Sequence, residues 1–175
     1  MKKGQIYFKV IFGRRLAMRA PYQVLVFPYI ITDNSIEYAI FKRSDFGYWQ
    51  GLAGGGEEGE TPIESAKREA FEEAGITRDY PYIELDSMSS LPVEDVVGNF
   101  LWGEDVYVLK EFSFGVKVPT KDISLSKEHL NYKWLCFEEA VTLLKWDSNK
   151  TALWELNKRL LNRTNTKQKF VKENT

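Results

Sequence analysis

The sequence predicts an α+β fold in which helices cover the faces of one mixed β-sheet. Runs of β-branched and aromatic residues predict strands before and after a helix with clear boundaries, and an amphipathic helix follows near the end of the chain. The order strand, strand, helix, strands, helix favours a sheet packed between helices. The chain has 175 residues, 43% of them hydrophobic, which is enough to build one core.

A β-hairpin and a glycine-rich strand are predicted in the first part of the chain. Residues 22–32, "YQVLVFPYIIT", are rich in β-branched and aromatic side chains and predict a strand. Residues 36–43 alternate enough between apolar and polar side chains to be its hairpin partner across a turn at 33–35. A loop is expected at 44–47. Residues 48–56, "YWQGLAGGG", then predict a short strand that ends in glycines.

The helix that follows the glycines has a signal at each end. Thr61 can cap its N-terminus, Pro62 suits the first helical position, and Glu64 completes a T-x-x-E capping box. Gly75 provides the C-terminal stop. The sequence therefore predicts a helix that begins at Pro62 and ends just before Gly75.

The second half of the chain is predicted to supply the remaining strands and two more helices. Strands are expected at 80–90 and 104–116, and the long connection between them is of a kind that is often functional. A last strand, a short helix and an amphipathic closing helix are predicted at 131–137, 137–146 and 148–163. The closing helix carries its apolar stripe on Ala152, Leu153, Leu156 and Leu160.

Three parts of the chain differ in composition. Residues 1–18 contain several lysines and arginines, and we expect them to form an N-terminal arm. Residues 19–162 hold the predicted strands and helices and form the expected domain. Residues 163–175 are polar with little to bury, so a flexible C-terminal tail is predicted there.

Charge and composition narrow the classes of function. The formal net charge of -1 argues against the broad basic face that a nucleic-acid-coating protein needs. No stretch approaches the roughly 20 apolar residues of a membrane span. The single cysteine, Cys136, cannot form an internal disulfide and is expected to be a buried, inert thiol. We therefore expect a cytoplasmic protein with neither a nucleic acid nor a membrane as its partner.

The helix after the glycines gathers carboxylates on one face. Glu69, Glu72 and Glu73 lie beside the apolar stripe, which is formed by Ile63, Ala66, Ala70 and Ala74. Ionised carboxylates one turn apart repel each other, so a positive group should lie near them.

Two sources of positive charge fit this face. Arg68 can neutralise one carboxylate and can pair with Glu60 across the turns, which would leave an ordinary solvated acidic face. A divalent cation is the other source, because oxygen-only ligands suit Mg²⁺ or Mn²⁺ ions that bridge to substrate phosphates. The glycine-rich segment before the helix favours the cation, since its backbone can approach a ligand closely.

This segment as a whole resembles the Nudix box, whose pattern is G-x5-E-x7-R-E-U-x-E-E-x-G-U with U an apolar residue. The matching residues are Gly54, Glu60, Arg68, Glu69, Ala70, Glu72, Glu73, Gly75 and Ile76. Nudix enzymes hydrolyse a diphosphate linked to another moiety. The resemblance implies an α/β/α sandwich over about residues 20 to 160, with Mg²⁺ as the cofactor and Mn²⁺ as an alternative.

The resemblance also implies roles for individual residues. Glu69 and Glu73 match direct metal ligands, and Glu72 matches a third ligand or one that acts through water. Arg68 and Glu60 match the pair that holds the loop against the helix, so their expected role is structural.

A narrower resemblance is to the dihydroneopterin triphosphate and dATP pyrophosphatases. It rests on "FGYWQGLAGGGEEGET" and on "SKEHLNYKWLCFEEAV". It implies that Glu128 is a further metal ligand and that either Glu69 or Glu128 is the catalytic base. It also implies that Arg19 and Arg43 contact substrate phosphates.

Two further residues carry alternatives. Trp49 is a candidate for stacking on a nucleobase or pterin ring, although a tryptophan that enters a sheet is more often part of the core. For His129, the single histidine, packing or a hydrogen bond that supports the site is favoured over a proton-shuttle role.

The predicted function is Mg²⁺-dependent cleavage of a nucleoside triphosphate or a pterin triphosphate to the monophosphate and pyrophosphate. A Nudix hydrolase of ADP-ribose, nucleotide sugars or dinucleoside polyphosphates is the first alternative. A nucleotide-binding module without catalysis is the second, and the retention of every carboxylate of the box argues against it. The partner is expected to be a small molecule, with a monomer and a homodimer both open.

Overall fold

The structure is a computed structural model and describes residues 18–32, 35–97 and 101–173. The described residues form a seven-stranded mixed β-sheet with helices on both faces, which confirms the predicted α+β fold. The elements in chain order are β1 Arg19–Ile31, β2 Ile36–Arg43, β3 Trp49–Gln50, β4 Leu52–Glu57, α1 Pro62–Ala74, β5 Tyr82–Pro92, α2 Val93–Val97, β6 Val108–Lys117, β7 His129–Leu135, α3 Phe137–Leu143 and α4 Asp147–Glu173. Residues 1–17 of the predicted N-terminal arm lie outside the described residues.

The sheet has the strand order β3-β2-β1-β6-β5, with β4 joined to β1 and β7 joined to β2. β1 runs parallel to β6, and the other pairings are antiparallel. The first half of β1 pairs with β4, whereas its last residues pair with β2. The glycines of β4 therefore lie beside the start of β1, and α1 packs against both strands.

Two hydrophobic cores hold the layers together. α1 buries Ala66, Ala70 and Ala74 against one face of the sheet. α4 buries the four predicted stripe residues, from Ala152 to Leu160, against the other. Because both faces are covered, residues 24–27 of β1 are all fully buried and show no alternation of buried and exposed side chains.

The start of β7 and three further features differ from the sequence expectations. β7 begins at His129 rather than at residue 131. α4 continues to Glu173, through most of the predicted tail, because residues 163–173 contain neither Gly nor Pro to stop a helix. β6 begins at Val108 rather than at residue 104, so the connection between β5 and β6 runs from residue 93 to residue 107. Cys136 is half-buried rather than buried, because β7 ends at Leu135 and the thiol turns toward Glu139 at the start of α3, with Sγ donating to Oε2 at 3.3 Å.

Among the residues that the structure describes, no helix combines the length and the apolar composition that a membrane span requires.

Candidate active site

The helix α1 is fixed at both ends by the residues that the sequence predicts. The Thr61 hydroxyl accepts a hydrogen bond from the Glu64 N–H, and the Glu64 carboxylate accepts one from the Thr61 N–H. Gly75 ends the helix in the left-handed conformation, with φ 67°. These caps fix where the helix begins and ends, and Glu69 on its acidic face lies against Gly54 of β4.

Two glycines of β4 let charged side chains lie directly against the strand. A Cβ atom on Gly54 would lie 2.0 Å from Cδ of Glu69, and a Cβ atom on Gly55 would lie 2.3 Å from Nε of Arg19. Any other residue at these positions would displace those side chains. The glycines thus bring a carboxylate and a guanidinium side by side at the edge of the sheet.

Arg68 links the loop, the strand and the acidic face. Its Nε and Nη2 atoms each donate to one oxygen of Glu60 at 2.9 Å, which confirms the expected pairing across the turns. Nη2 also donates to the Gly55 carbonyl at 2.8 Å, and Nη1 donates to Glu69 at 2.7 Å. Because a guanidinium is a planar fork of donors, one side chain can satisfy all three acceptors.

Glu73 and Glu69 are the buried carboxylates of the site. Burial, together with the charge of Glu128, raises the pKa of Glu73 to about 8, although Arg43 and the Ala53 N–H act in the opposite direction. Burial and the charge of Glu73 raise the pKa of Glu69 to about 7. These carboxylates therefore destabilise each other when ionised, and a divalent cation would relieve that repulsion. The donor set fits such an ion.

Glu128 and Glu72 lie at the exposed border of this pair. The backbone N–H groups of Ser124 and Ser126 donate to the last carbonyls of α1, which carries the segment before β7 to the helix. The Glu128 side chain is 56% exposed, and its Oε2 accepts a hydrogen bond from Arg43 at 3.0 Å. The Glu72 side chain is 53% exposed and lies 3.4 Å from Nη1 of Arg68.

The four carboxylates are neighbours, but each is held by a basic side chain. Arg68 contacts Glu69 and Glu72, His129 contacts Glu73, and Arg43 contacts Glu128. Within the described part of the chain, no three His, Cys, Asp or Glu side chains converge as a formed metal site. The metal-ligand roles of these residues therefore stay predictions, as does the choice of Glu69 or Glu128 as base.

The candidate substrate-binding residues lie in different surroundings. Arg19 lies against Gly55 within electrostatic reach of Glu69. Arg43 donates to both oxygens of Asp45, at 3.1 and 2.6 Å, as well as to Glu128. Trp49 is half-buried against the core beneath α4, and Nζ of Lys133 lies 5.1 Å from the centre of its ring. Their contacts with a substrate stay predictions.

An aromatic group beside Arg43 was not singled out from the sequence. Phe46 is 77% exposed and stacks on Tyr48 with 5.9 Å between ring centres, and Tyr48 meets Trp146 edge-on at 5.5 Å. The loop is anchored by Asp45, which accepts from Arg43 and from the Phe46 N–H at 2.8 Å. The sequence signal was "DFGYW", in which two aromatic residues flank a loop glycine.

Comparison with known proteins gives a consistent result. The NUDIX domain model matches residues 24–155. A protein of Listeria monocytogenes described as a NUDIX hydrolase superposes with a TM-score of 0.74 and 40% identity, covering 82% of this chain and 97% of that one.

Two curated relatives carry different substrate names. The bis(5'-nucleosyl)-tetraphosphatase [asymmetrical] of Mus musculus is 33% identical over 131 residues, which are 70% of this chain and 80% of the relative. The dihydroneopterin triphosphate diphosphatase of Escherichia coli K12 is 28% identical over 137 residues, which are 77% of this chain and 91% of the relative. With the box residues arranged around β4 and the family model spanning most of the domain, the chain belongs to the Nudix family of hydrolases.

Proposed function

We propose that this Nudix hydrolase cleaves a nucleoside triphosphate or dihydroneopterin triphosphate to the monophosphate and pyrophosphate, with Mg²⁺ as its cofactor. The observation that carries the proposal is the pair of buried carboxylates, Glu69 and Glu73, with Arg19 and Arg43 at its border. Carboxylates suit a divalent cation, and guanidinium groups suit the phosphates that would bridge to it. The name of the Escherichia coli relative supports this substrate class.

Nudix hydrolases generally use divalent metal ions, and the carboxylates named above would hold one here. The candidate ligands are Glu69, Glu72, Glu73 and Glu128. Such an ion neutralises phosphate charge and lowers the pKa of a bound water. Mn²⁺ prefers the same oxygen ligands and is the alternative ion.

The chain's own residues would bind the phosphates and move one proton. Arg19 and Arg43 contact the phosphate oxygens and fix the chain of phosphates along β4. A water oxygen forms a bond to a bridge phosphorus while the anhydride P–O bond at that phosphorus breaks, and the monophosphate and pyrophosphate separate. The proton of that water passes to Glu128 or Glu69. Each accepts a hydrogen bond from an arginine, and Glu128 is the more open of the two to solvent.

The ring of the substrate needs an apolar surface near these phosphates. Trp49 remains a candidate for stacking. The exposed face of Phe46 is a second candidate, because its loop is fixed to Arg43 through Asp45 and lies next to Glu128. A flat ring stacked on Phe46 would lie beside Arg43 and Glu128.

A second candidate function is the cleavage of dinucleoside polyphosphates. The observation that favours it is the 33% identity with the tetraphosphatase of Mus musculus. A dinucleoside polyphosphate has the same anhydride bridge and a ring at each end. It therefore requires a second ring surface, which a nucleoside triphosphate does not.

A substrate panel distinguishes these functions. Dihydroneopterin triphosphate, dATP, 8-oxo-dGTP, ADP-ribose and diadenosine tetraphosphate are incubated with the protein, with and without Mg²⁺. We expect release of pyrophosphate from one of the triphosphates, only with the ion. ATP and AMP formed from the tetraphosphate would establish the second function. Binding of these compounds without any cleavage would favour a nucleotide-binding module and contradict the proposal.

A further inference from the structure

The buried pair formed by His129 and Glu73 has no counterpart in the box pattern. Nε2 of His129 lies 2.9 Å from Oε2 of Glu73, and the two side chains are 0% and 4% exposed. His129 also packs against Phe41, with 5.2 Å between ring centres. The imidazole thus has a fixed place, and its hydrogen-bond partner among the described residues is a candidate metal ligand.

A bulge in β7 turns His129 toward this carboxylate. Lys42 pairs with Asn131 and Arg43 pairs with His129, so Leu130 is the extra residue between them. Leu130 is 62% exposed, whereas His129 is buried. With regular alternation Leu130 would face the core beside Tyr132, and His129 would face away from it. The bulge therefore exposes a leucine in order to bury a histidine, and bulges of this kind occur next to active sites, where they re-aim a side chain.

The histidine is also buried at a cost in hydrogen bonds. Its Nδ1 has no hydrogen-bond partner among the described residues. A buried polar atom without a partner costs about 1–3 kcal/mol. A side chain that only filled space here would be more stable as an apolar residue, so the contact with Glu73 is the reason to keep an imidazole.

We propose that His129 is a positioning residue that holds Glu73 in the orientation needed to bind the divalent cation. When Glu73 is ionised, Nε2–H donates to one of its oxygens and leaves the other for the ion. The Ala53 N–H supports the same carboxylate from β4. Groups that hydrogen-bond to metal ligands typically contribute about 10- to 100-fold to metal affinity. The inference rests on the metal site of the proposed function.

Mn²⁺ binding to the full chain, followed by electron paramagnetic resonance, tests this role without a substrate. His129→Gln keeps an amide N–H where Nε2 lies, His129→Asn moves that N–H toward the position of Nδ1, and His129→Leu removes it. We expect Gln to retain affinity within a few fold, and Asn and Leu to lose about 10- to 100-fold. Leu130→Ala is the control for changes in the bulge and should bind as the wild type does.

The outcomes separate this inference from the proposed function. If the wild type itself binds no Mn²⁺, the metal site fails and the inference fails with it. If the wild type binds but the Asn variant matches the Gln variant, the proposed role of His129 alone is wrong. The Gln and Asn variants carry the same amide group and differ by one methylene, so this comparison remains decisive even if the Leu variant does not fold.

Discussion

Arg68 shows how one residue of the box can be structural while its neighbours are chemical. It is largely buried, and its donors are divided among Glu60, Glu69 and a backbone carbonyl of β4. Glu60 and Glu69 lie on different segments, so the guanidinium fixes the loop relative to the helix. It also offsets the negative charge of Glu69.

Removing this guanidinium should destabilise the fold. We expect Arg68→Met to lower the free energy of unfolding by about 3–5 kcal/mol, because Glu60 and Glu69 would lose a buried partner. Urea unfolding at pH 7 measures the loss. Glu72→Gln is the matched control, because the Glu72 carboxylate is exposed and its contact with Arg68 is long, at 3.4 Å. This substitution should change the free energy of unfolding by no more than about 0.5 kcal/mol. Equal effects of the two substitutions would contradict this role for Arg68.

Glu73 should behave in the opposite way, with a large effect on turnover and a small effect on folding. An amide at position 73 keeps the shape of the side chain and removes the carboxyl group, whose pKa is raised to about 8 by burial. We therefore expect Glu73→Gln to fold normally and to lose orders of magnitude in turnover with Mg²⁺.

The control for Glu73→Gln is Glu58→Gln, which changes an exposed carboxylate of the loop before α1. It should turn over substrate as the wild type does. Thermal unfolding and turnover of both variants are measured in the same buffer. Wild-type turnover in Glu73→Gln would refute the assignment of Glu73 as a metal ligand.

At the scale of the elements, the sequence predicted best where the signal is local. The bounds of α1 follow from Thr61, Pro62 and Gly75, which lie at the helix ends themselves, and the structure places the helix at Pro62–Ala74. The start of β7 was missed, because its bulge depends on pairing with β2. A pattern in one segment cannot show how a second strand, far along the chain, will shift its register.

The loop between β2 and β3 provides a prediction about substrate binding. Stacking of a base on an aromatic ring contributes about 1–3 kcal/mol. If the substrate ring lies on Phe46, Phe46→Ala should weaken AMP binding at least about fivefold and leave pyrophosphate binding unchanged. Isothermal titration calorimetry with the two products measures both affinities.

Phe71→Ala is the control for this loop. Phe71 is also an exposed aromatic side chain, but it lies on α1 with Arg78 over its ring, 5.5 Å from the ring centre. It should bind both products as the wild type does. Unchanged AMP affinity in Phe46→Ala would instead leave Trp49 as the candidate for ring binding.

At the scale of the whole molecule, the sheet assembles the candidate site from distant segments. Arg43 and Glu128 are 85 positions apart, and Glu73 and His129 are 56 apart. The spacing inside the box identified the carboxylates of α1, because one helix turn places them together. It also predicted Arg68 as the partner of one carboxylate, but it could not identify His129 and Arg43 as the partners of Glu73 and Glu128, since those contacts depend on the order of β4, β1, β2 and β7 in the sheet.

The same assembly predicts how stability depends on pH. The pKa values of Glu69 and Glu73 are raised to about 7 and about 8, so between pH 4.5 and these values the two carboxyl groups bind more protons in the folded chain than in the unfolded chain. His129 acts in the opposite direction, because burial lowers its pKa to about 4 from 6.5. The contribution of His129 to the free energy of unfolding rises with pH between about 4 and 6.5 and is then constant. Of these three groups, Glu69 and Glu73 are therefore the ones whose contribution to stability changes between pH 6.5 and 8.

We expect the metal-free protein to lose stability from pH 6.5 to pH 8, by at most about 1.4 kcal/mol per pH unit for each carboxylate. Mg²⁺ competes with protons for these carboxylates, so it should raise the thermal midpoint more at pH 8 than at pH 6.5. Thermal unfolding with EDTA and with Mg²⁺ at both pH values measures this difference. Glu73→Gln removes one titrating group and should flatten the pH dependence. A metal-free protein that becomes more stable over this range, or an equal gain from Mg²⁺ at both pH values, would show that these carboxylates do not share one site with the ion.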